Sequence, residues 1–446
     1  MKSKLWMGII LLCQLVLSCK KDLKNDEAVS TRKFALGTLA KGNPHLKIAI
    51  ASDIHYMHPS LLINNGATGA AFQNYLDQDP KLVQYSDPIF RNVLADIKAE
   101  HPDILLVPGD ITKDGEKISH IAMAGFFNQL RNDGIKVFVI PGNHDINNVK
   151  AKIFDGDNAY PVDITSKTDF ETIYGNLGYN QAIARDANSL SYVVQPQDDL
   201  RIIGIDASKY EEYGPDGDVA AGRIKPATLT WILDQLASAK QRNITVFAMM
   251  HHNLVEHYAN QSQLDPGYVI DDWQNVANTL MEAGLKIIFT GHYHANDITS
   301  YVNNGKELID IQTGSLVTAP SPYRMVTMKN GTLDVSTKTV QTIAASLPGG
   351  ISFPEYANTF LSQHLDGYFN YYLANTLGAP APLASFASPL FRNGIMAHFA
   401  GDEKMPPDQR KQIAKLATMS QQLAGIVTIL WTDLNEKDNK THIKYW

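Results

Sequence analysis

Leu46-Lys47-Ile48-Ala49-Ile50-Ala51-Ser52-Asp53-Ile54-His55 sets an apolar, β-branched run directly against an acid and an imidazole. The run predicts a buried strand, and the polar pair after it puts chemistry at the strand's C-terminal end. The arrangement recurs along the chain. Apolar runs at 103–107, 136–140, 244–249 and 286–289 lead into Gly109-Asp110, Gly142-Asn143-His144-Asp145, His251-His252 and Gly291-His292-Tyr293-His294, and a further run at 201–205 leads into Asp206. Between them lie helical patterns. Phe90, Val93, Leu94 and Ile97 share one face, Leu229, Ile232, Leu233 and Leu236 a second, and Trp273, Val276, Leu280 and Ala283 a third. Such alternation predicts βα units with a largely parallel sheet. Beyond residue 300, runs at 307–311, 324–329 and 332–340 around Asn330-Gly331 predict an antiparallel extension.

The chain has 446 residues, enough for two or three domains and a large core. Lys+Arg 39 against Asp+Glu 46 gives a net charge of −7, and no long basic run appears beyond the first residues, so no nucleic-acid polymer is expected as a partner. The apolar run 5–17 follows Lys2 and Lys4 and is shorter than a membrane span, which reads as a secretory signal over 1–18. It ends in Val16-Leu17-Ser18-Cys19, which resembles a bacterial lipobox. Cys19 would then become a lipidated N-terminus, with membrane attachment and a cell-envelope location, periplasmic or outer-surface. An uncleaved anchor, or a plain signal with an incidental cysteine, is the alternative. Cys13 would leave with the signal, so the mature chain could form no internal disulfide. Residues 19–45 are polar and charge-rich and read as a flexible tether.

Carboxylates, imidazoles and one amide delivered repeatedly at strand ends are the donor set of a divalent metal site at one sheet edge. In Asp53-x-His55 the two side chains differ by two positions, so on one extended or turning segment they project to one side and can share an ion. Each piece alone is a common loop motif. The ordered series, each after a predicted strand, is not.

That series, Asp53-x-His55, Gly109-Asp110, Gly142-Asn143-His144-Asp145, His251 and Gly291-His292-x-His294, resembles the calcineurin-like metallophosphoesterase family over about 46 to 340. Asn253 departs from the proline that often follows the histidine pair. The resemblance implies an α/β fold of two packed mixed β-sheets flanked by helices, here with a C-terminal helical appendage. It also implies a phosphomonoesterase or phosphodiesterase with a two-metal centre and a bridging hydroxide. By motif, Asp53, His55 and His294 would bind one metal, Asn143, His251 and His292 the other, and Asp110 both. His144 would face the substrate as a proton donor or phosphate contact, with Asp145 orienting its ring. His252 is expected to point away. With no thiolate, the ions would be divalent or trivalent transition metals, manganese, iron or zinc foremost.

The implied substrate is a small-molecule phosphate ester, chosen by the long connections around the sheet edge. Their tyrosines, among them Tyr75, Tyr85, Tyr160, Tyr174, Tyr179, Tyr210, Tyr213, Tyr258 and Tyr268, either form an aromatic rim or pack the loops. Arg185, Lys209 and Arg223 are candidate phosphate partners. The competing reading from another class is an envelope lipoprotein that binds or scaffolds, with a structural metal site.

The domain organisation that follows is signal 1–18, lipidated tether 19–45, metallophosphoesterase domain 46–342 and helical region 343–446. In the last, helices are predicted over 353–375 and 386–399. A single long helix should open at Pro406-Pro407 with Ile413, Leu416, Leu423, Val427 and Leu430 along one stripe. His398 and Asp402 read as structural because nothing near them in sequence completes a site.

Overall fold

β1 (Leu46–Ile50) is buried along almost its whole length, as a strand covered on both faces requires. The computed structural model describes residues 45–445 other than 402, 433, 435 and 436. The signal at 1–18 and, His45 excepted, the tether at 19–45 lie outside the described residues. β1 pairs in parallel with β3 (Ile104–Pro108), and β3 with β4 (Lys136–Ile140). On its other side β1 pairs antiparallel with β14 (Pro322–Lys329), followed by β15 (Thr332–Thr339) and β16 (Lys440–Lys444). A seven-stranded second sheet runs β12 (Ile298–Asn303), β13 (Lys306–Gln312), β11 (Ile287–Thr290), β10 (Thr245–Met250), β9 (Leu200–Ile205), β8 (Tyr192–Gln197) and β7 (Ala184–Arg185). A small third sheet joins β2 (Leu62–Ile63), β5 (Lys152–Asp155) and β6 (Asn158–Pro161).

The alternation of side chains along the second sheet builds two cores at once. Ile202, Phe247, Met249 and Phe289 join the cluster that holds Ile48, Leu106 and Val139 of the first sheet. Their neighbours Ile203, Ala248, Met250 and Ile288 face the other way, onto Ile232 and Leu236 of the helix Pro226–Gln241 and Val276 and Leu280 of the helix Trp273–Ala283. Two buried faces explain why these strands read as unbroken apolar runs. They do not reveal direction: β1, β3 and β4 are parallel, as are β9, β10, β11 and β13, while β14, β8 and β12 run against their neighbours, which gives the two mixed sheets that the resemblance implies. The predicted hairpin is present. Asn330 and Gly331 both take positive φ (53° and 75°), the backbone a tight two-residue connection needs.

In the C-terminal region helices span Phe353–Tyr371 and Ala381–Ala400. The single long helix is corrected to two, Pro407–Met419 and Gln421–Ile429. Ser420 between them is extended (φ −154°), and its hydroxyl accepts the Leu423 N–H, so it starts a new helix rather than continuing the old one. β16 was not predicted, because only Ile443 of its five residues is buried and an exposed edge strand carries little apolar pattern. Phe369, Leu373, Phe391, Leu416 and Val427 belong to the same core cluster as Val326 and Val335 of the first sheet. Among the described residues no helix is long and apolar enough to cross a membrane.

Candidate metal centre

Five strands deliver the predicted residues to one place: Asp53 and His55 follow β1, Asp110 follows β3, Asn143 to Asp145 follow β4, His251 and His252 follow β10, and His292 and His294 follow β11. The backbone there is unusual. Asp53, His55, Asp110, His292 and His294 all have positive φ, between 42° and 74°. Left-handed conformation at a non-glycine costs of order 1–3 kcal/mol per residue and persists where surrounding structure enforces it. Asp53 and His55 therefore aim at one point on a turning segment, one of the two geometries expected for that spacing. Glycine is required beside them. A Cβ on Gly142 would overlap the Asp110 carboxylate, and one on Gly291 would overlap Ser52 and Asp53.

The donors form a continuous chain of contacts. His55 Nε2 lies 3.2 Å from His294 Nε2, which lies 3.5 Å from Asp53 Oδ1. Asp110 Oδ2 lies 3.6 Å from His55 Nε2 and 3.3 Å from His251 Nε2, and the latter is 3.1 Å from Asn143 Oδ1. Asp110, His251 and His292 form a second close group beside Asp53, His55 and His294. Two atoms bound to one ion at 2.0–2.1 Å sit about 3.0–3.4 Å apart, so these spacings suit metal ligation. Two imidazole nitrogens facing each other at 3.2 Å can share one proton or one cation. The outer nitrogens are committed as ligating histidines need: His251 Nδ1 lies 2.9 Å from the Pro108 carbonyl and His292 Nε2 3.1 Å from the Gly267 carbonyl. Each donation leaves the other ring nitrogen as an acceptor. Burial works against charge on Asp110, yet the imidazoles of His251 and His144 hold its carboxyl well below the usual range. The donor set fits transition-metal ions.

His144 lies over this cluster. Its backbone N–H donates to Asp110 Oδ1 (2.9 Å), its Nδ1 is 3.1 Å from Asp114 Oδ1, and its Nε2 is 3.8 Å from Asp218 Oδ2. The partnership with Asp145 is corrected. Asp145 accepts from the backbone N–H of Gly142 (2.8 Å), Ile111 (3.1 Å) and Thr112 (3.0 Å) and from the Thr112 hydroxyl (3.1 Å), which leaves it no bond to the His144 ring. It staples the loop after β4 to the loop after β3. Burial, then the charge of Asp110, pushes Asp145 upward. Asp145→Ala leaves buried donors unpaired and is expected to cost about 3 kcal/mol or more, read as a lower unfolding midpoint in denaturant. An unchanged midpoint would show that the staple carries no stability.

Asp114 and Asp218 carried no sequence signal. Asp114 sits in a loop with no periodicity, and Asp218 comes from the 209–225 connection. There Tyr213 donates to the Asn143 carbonyl (2.6 Å), and Asp218 accepts from Asn143 Nδ2 (3.3 Å) and Lys150 Nζ (2.6 Å). Binding the amide nitrogen turns Asn143 Oδ1 toward His251. His252 donates through Nε2 to the Ala220 carbonyl (3.0 Å). Asn253, the departure from the family pattern, ties Thr290 Oγ1 and the Gly291 carbonyl together. Of the tyrosines, Tyr174, Tyr179, Tyr210, Tyr258 and Tyr268 are buried packing residues. Arg185, Lys209 and Arg223 pair with Glu171, Asp271 and Glu212 respectively. Lys81, fully buried near Asp79, is a cation whose charge bears on both His55 and His144.

Residues 46–296 match the sequence model of the family described as calcineurin-like phosphoesterase, ending just beyond His294. Among solved structures the chain is similar to a dimetal phosphatase from Danio rerio, at 12% identity over 66% of this chain and 96% of that one, with a TM-score of 0.46. A second solved structure aligns at 13% identity over 66% of this chain and 99% of its own, with a TM-score of 0.39. No curated protein matches the chain.

Proposed function

This chain belongs to the calcineurin-like phosphoesterase family, and from that premise we propose that its converging donors hold two metal ions for hydrolysis of a phosphomonoester or phosphodiester. It is a metal-dependent hydrolase of phosphate esters. In the proposed assignment Asp53, His55 and His294 hold one ion, Asn143, His251 and His292 the other, and Asp110 both. The observation that carries this reading is the position of Asp110 Oδ2, within 3.6 Å of His55 Nε2 and 3.3 Å of His251 Nε2, so one carboxylate serves two groups. Ions of the manganese, iron or zinc class would supply positive charge for the phosphoryl oxygens and a bridging hydroxide as nucleophile.

The protein's own residues supply direction and a proton. His144, held by Asp114 on one side with Asp218 on the other, faces the space above the donors and gives a proton to the leaving oxygen or a hydrogen bond to phosphate. The side chains of His144, Asp218 and His294 keep 9–14% of their surface, so a small-molecule ester would enter from their side. Assaying the mature chain against a panel of phosphate monoesters and diesters, with manganese, zinc or iron added, tests the reading. Turnover of one class that disappears with chelation is expected. Inactivity against every ester, with no metal retained, would sink it.

The envelope location is proposed on the sequence of residues 1–19. Cys19 is expected to carry lipid, and Cys19→Ala should shift the protein out of the membrane fraction or leave its signal uncleaved, since stable anchoring takes two or more acyl chains. Mass spectrometry finding a mature N-terminus at another residue would remove the anchor and leave the chemistry intact.

A further inference from the structure

A second buried cluster of acids and imidazoles joins the segment after His294 to the C-terminal helices. The helix Ala381–Ala400 ends at Gly401 (φ 76°), where a Cβ would come within 2.5 Å of the Asn296 carbonyl, so the helix end is docked tightly onto that segment. The chain then doubles back, and Glu403 Oε1 reaches His398 Nδ1 at 2.5 Å. Asp297 Oδ2 lies 3.7 Å from the same nitrogen. The other oxygen of Asp297 accepts from His257 Nδ1 (2.5 Å), and His257 Nε2 is 3.5 Å from Asp310 Oδ2. Asn439 Nδ2 donates to the Ala400 carbonyl (3.0 Å), and Asn296 Nδ2 to Asn439 Oδ1 (2.9 Å), which locks the three segments together.

Among the described residues Glu403 Oε2 and His398 Nε2, on side chains at most 2% exposed, lack a hydrogen-bond partner, as do His257 Nε2 and Asn296 Oδ1 beside them. Glu403 already faces His398, so its second oxygen is a spare acceptor beside the cluster. The charges also point one way. Asp297, Asp310 and Glu403 stand against His257 and His398. Three buried carboxylates against two imidazoles leave an excess of acceptor oxygens that a cation would satisfy.

We infer that Asp297, His398 and Glu403 form a further, structural metal site for one divalent cation of the zinc or manganese class. Mixed imidazole and carboxylate ligation suits those ions: Asp297, His398 and Glu403 each bring one donor atom within reach of a common ion, and the unpartnered Glu403 Oε2 would be a fourth. On binding, His398 gives up its Nδ1 proton to solvent. His257 orients the Asp297 carboxylate by hydrogen bond, the outer support metal carboxylates commonly have. In the sequence His398 stood beside Asp402, which lies outside the described residues. The partners that complete the site are Glu403 and Asp297, the latter just before β12 and distant in sequence. The ion would clamp the C-terminal helices to the segment that carries His292 and His294.

The test uses the mature chain with His55→Ala, Asp110→Ala and His251→Ala, which removes the shared ligand and one imidazole from each donor group of the phosphoesterase centre. After loading with manganese(II) and dialysis, this protein is expected to retain about one equivalent by elemental analysis, and Glu403→Gln added to it should bring that near zero. Manganese should raise the melting temperature of the first protein and leave that of the second unmoved. Pulsed electron paramagnetic resonance on the first should show a single coupled imidazole nitrogen, a readout that stands even if the Glu403→Gln chain does not fold. No retained manganese, an equivalent indifferent to Glu403→Gln, or coupling to none or to two imidazoles would overturn the site. Failure of the phosphoesterase reading would look different: wild type and the His55→Ala, Asp110→Ala, His251→Ala protein would hold the same amount of metal.

Discussion

His144→Ala is expected to keep near-normal metal content while turnover falls by about 10²–10⁴-fold, the loss typical of a removed acid–base group. The ring lies outside the donor chain, with Nε2 4.0 Å from Asp110 Oδ2, and its Nδ1 is occupied by Asp114. Burial, and the Lys81 charge, press the imidazole toward its neutral form. Asp218, Asp110 and Asp114 outweigh them and hold His144 above its ordinary value, as a proton donor requires. If the proton goes to the departing oxygen, the loss should shrink for esters with good leaving groups such as nitrophenolate. Equal losses for good and poor leaving groups would assign His144 to phosphate-oxygen stabilisation instead. Full turnover, or stoichiometric loss of a metal, would show that His144 does neither.

Asp110→Ala should lose metal and activity together, with turnover down more than about 10³-fold. Its Oδ2 is the atom common to both donor groups, and its Oδ1 accepts the His144 backbone N–H, so one truncation removes the proposed shared ligand and the anchor of the proposed proton donor. Chelation of the wild-type protein should mimic part of this and lower the melting temperature, because Asp53 and Asp110 then face each other without the ions and bound metal no longer favours the folded state. Retention of both ions by Asp110→Ala, measured by elemental analysis, would refute the shared-ligand assignment. A melting temperature indifferent to chelation would refute the coupling of metal to stability.

The sequence by itself determined where the strands that matter run and what stands at their ends. β1, β3, β4, β9, β10 and β11 fall within a residue or two of the apolar runs that predict them, because a strand buried on both faces is apolar at every position. The donors were legible for a related reason: each motif lies in the few residues after a strand, so its local spacing survives into the fold. What only the tertiary structure decided are the partners across gaps. Asp114 rather than Asp145 meets the His144 ring, because Asp145 is consumed by backbone N–H groups of a neighbouring loop that no sequence spacing connects to it. Asp218 reaches Asn143 only because the 209–225 connection folds over that loop, and Asp297 meets His398 only because the C-terminal helices dock on the sheets. Strand direction, the break at Ser420 and the edge strand β16 belong with these. Periodicity records how deeply each residue is buried, while the neighbour it meets there is set by sheet order and loop docking.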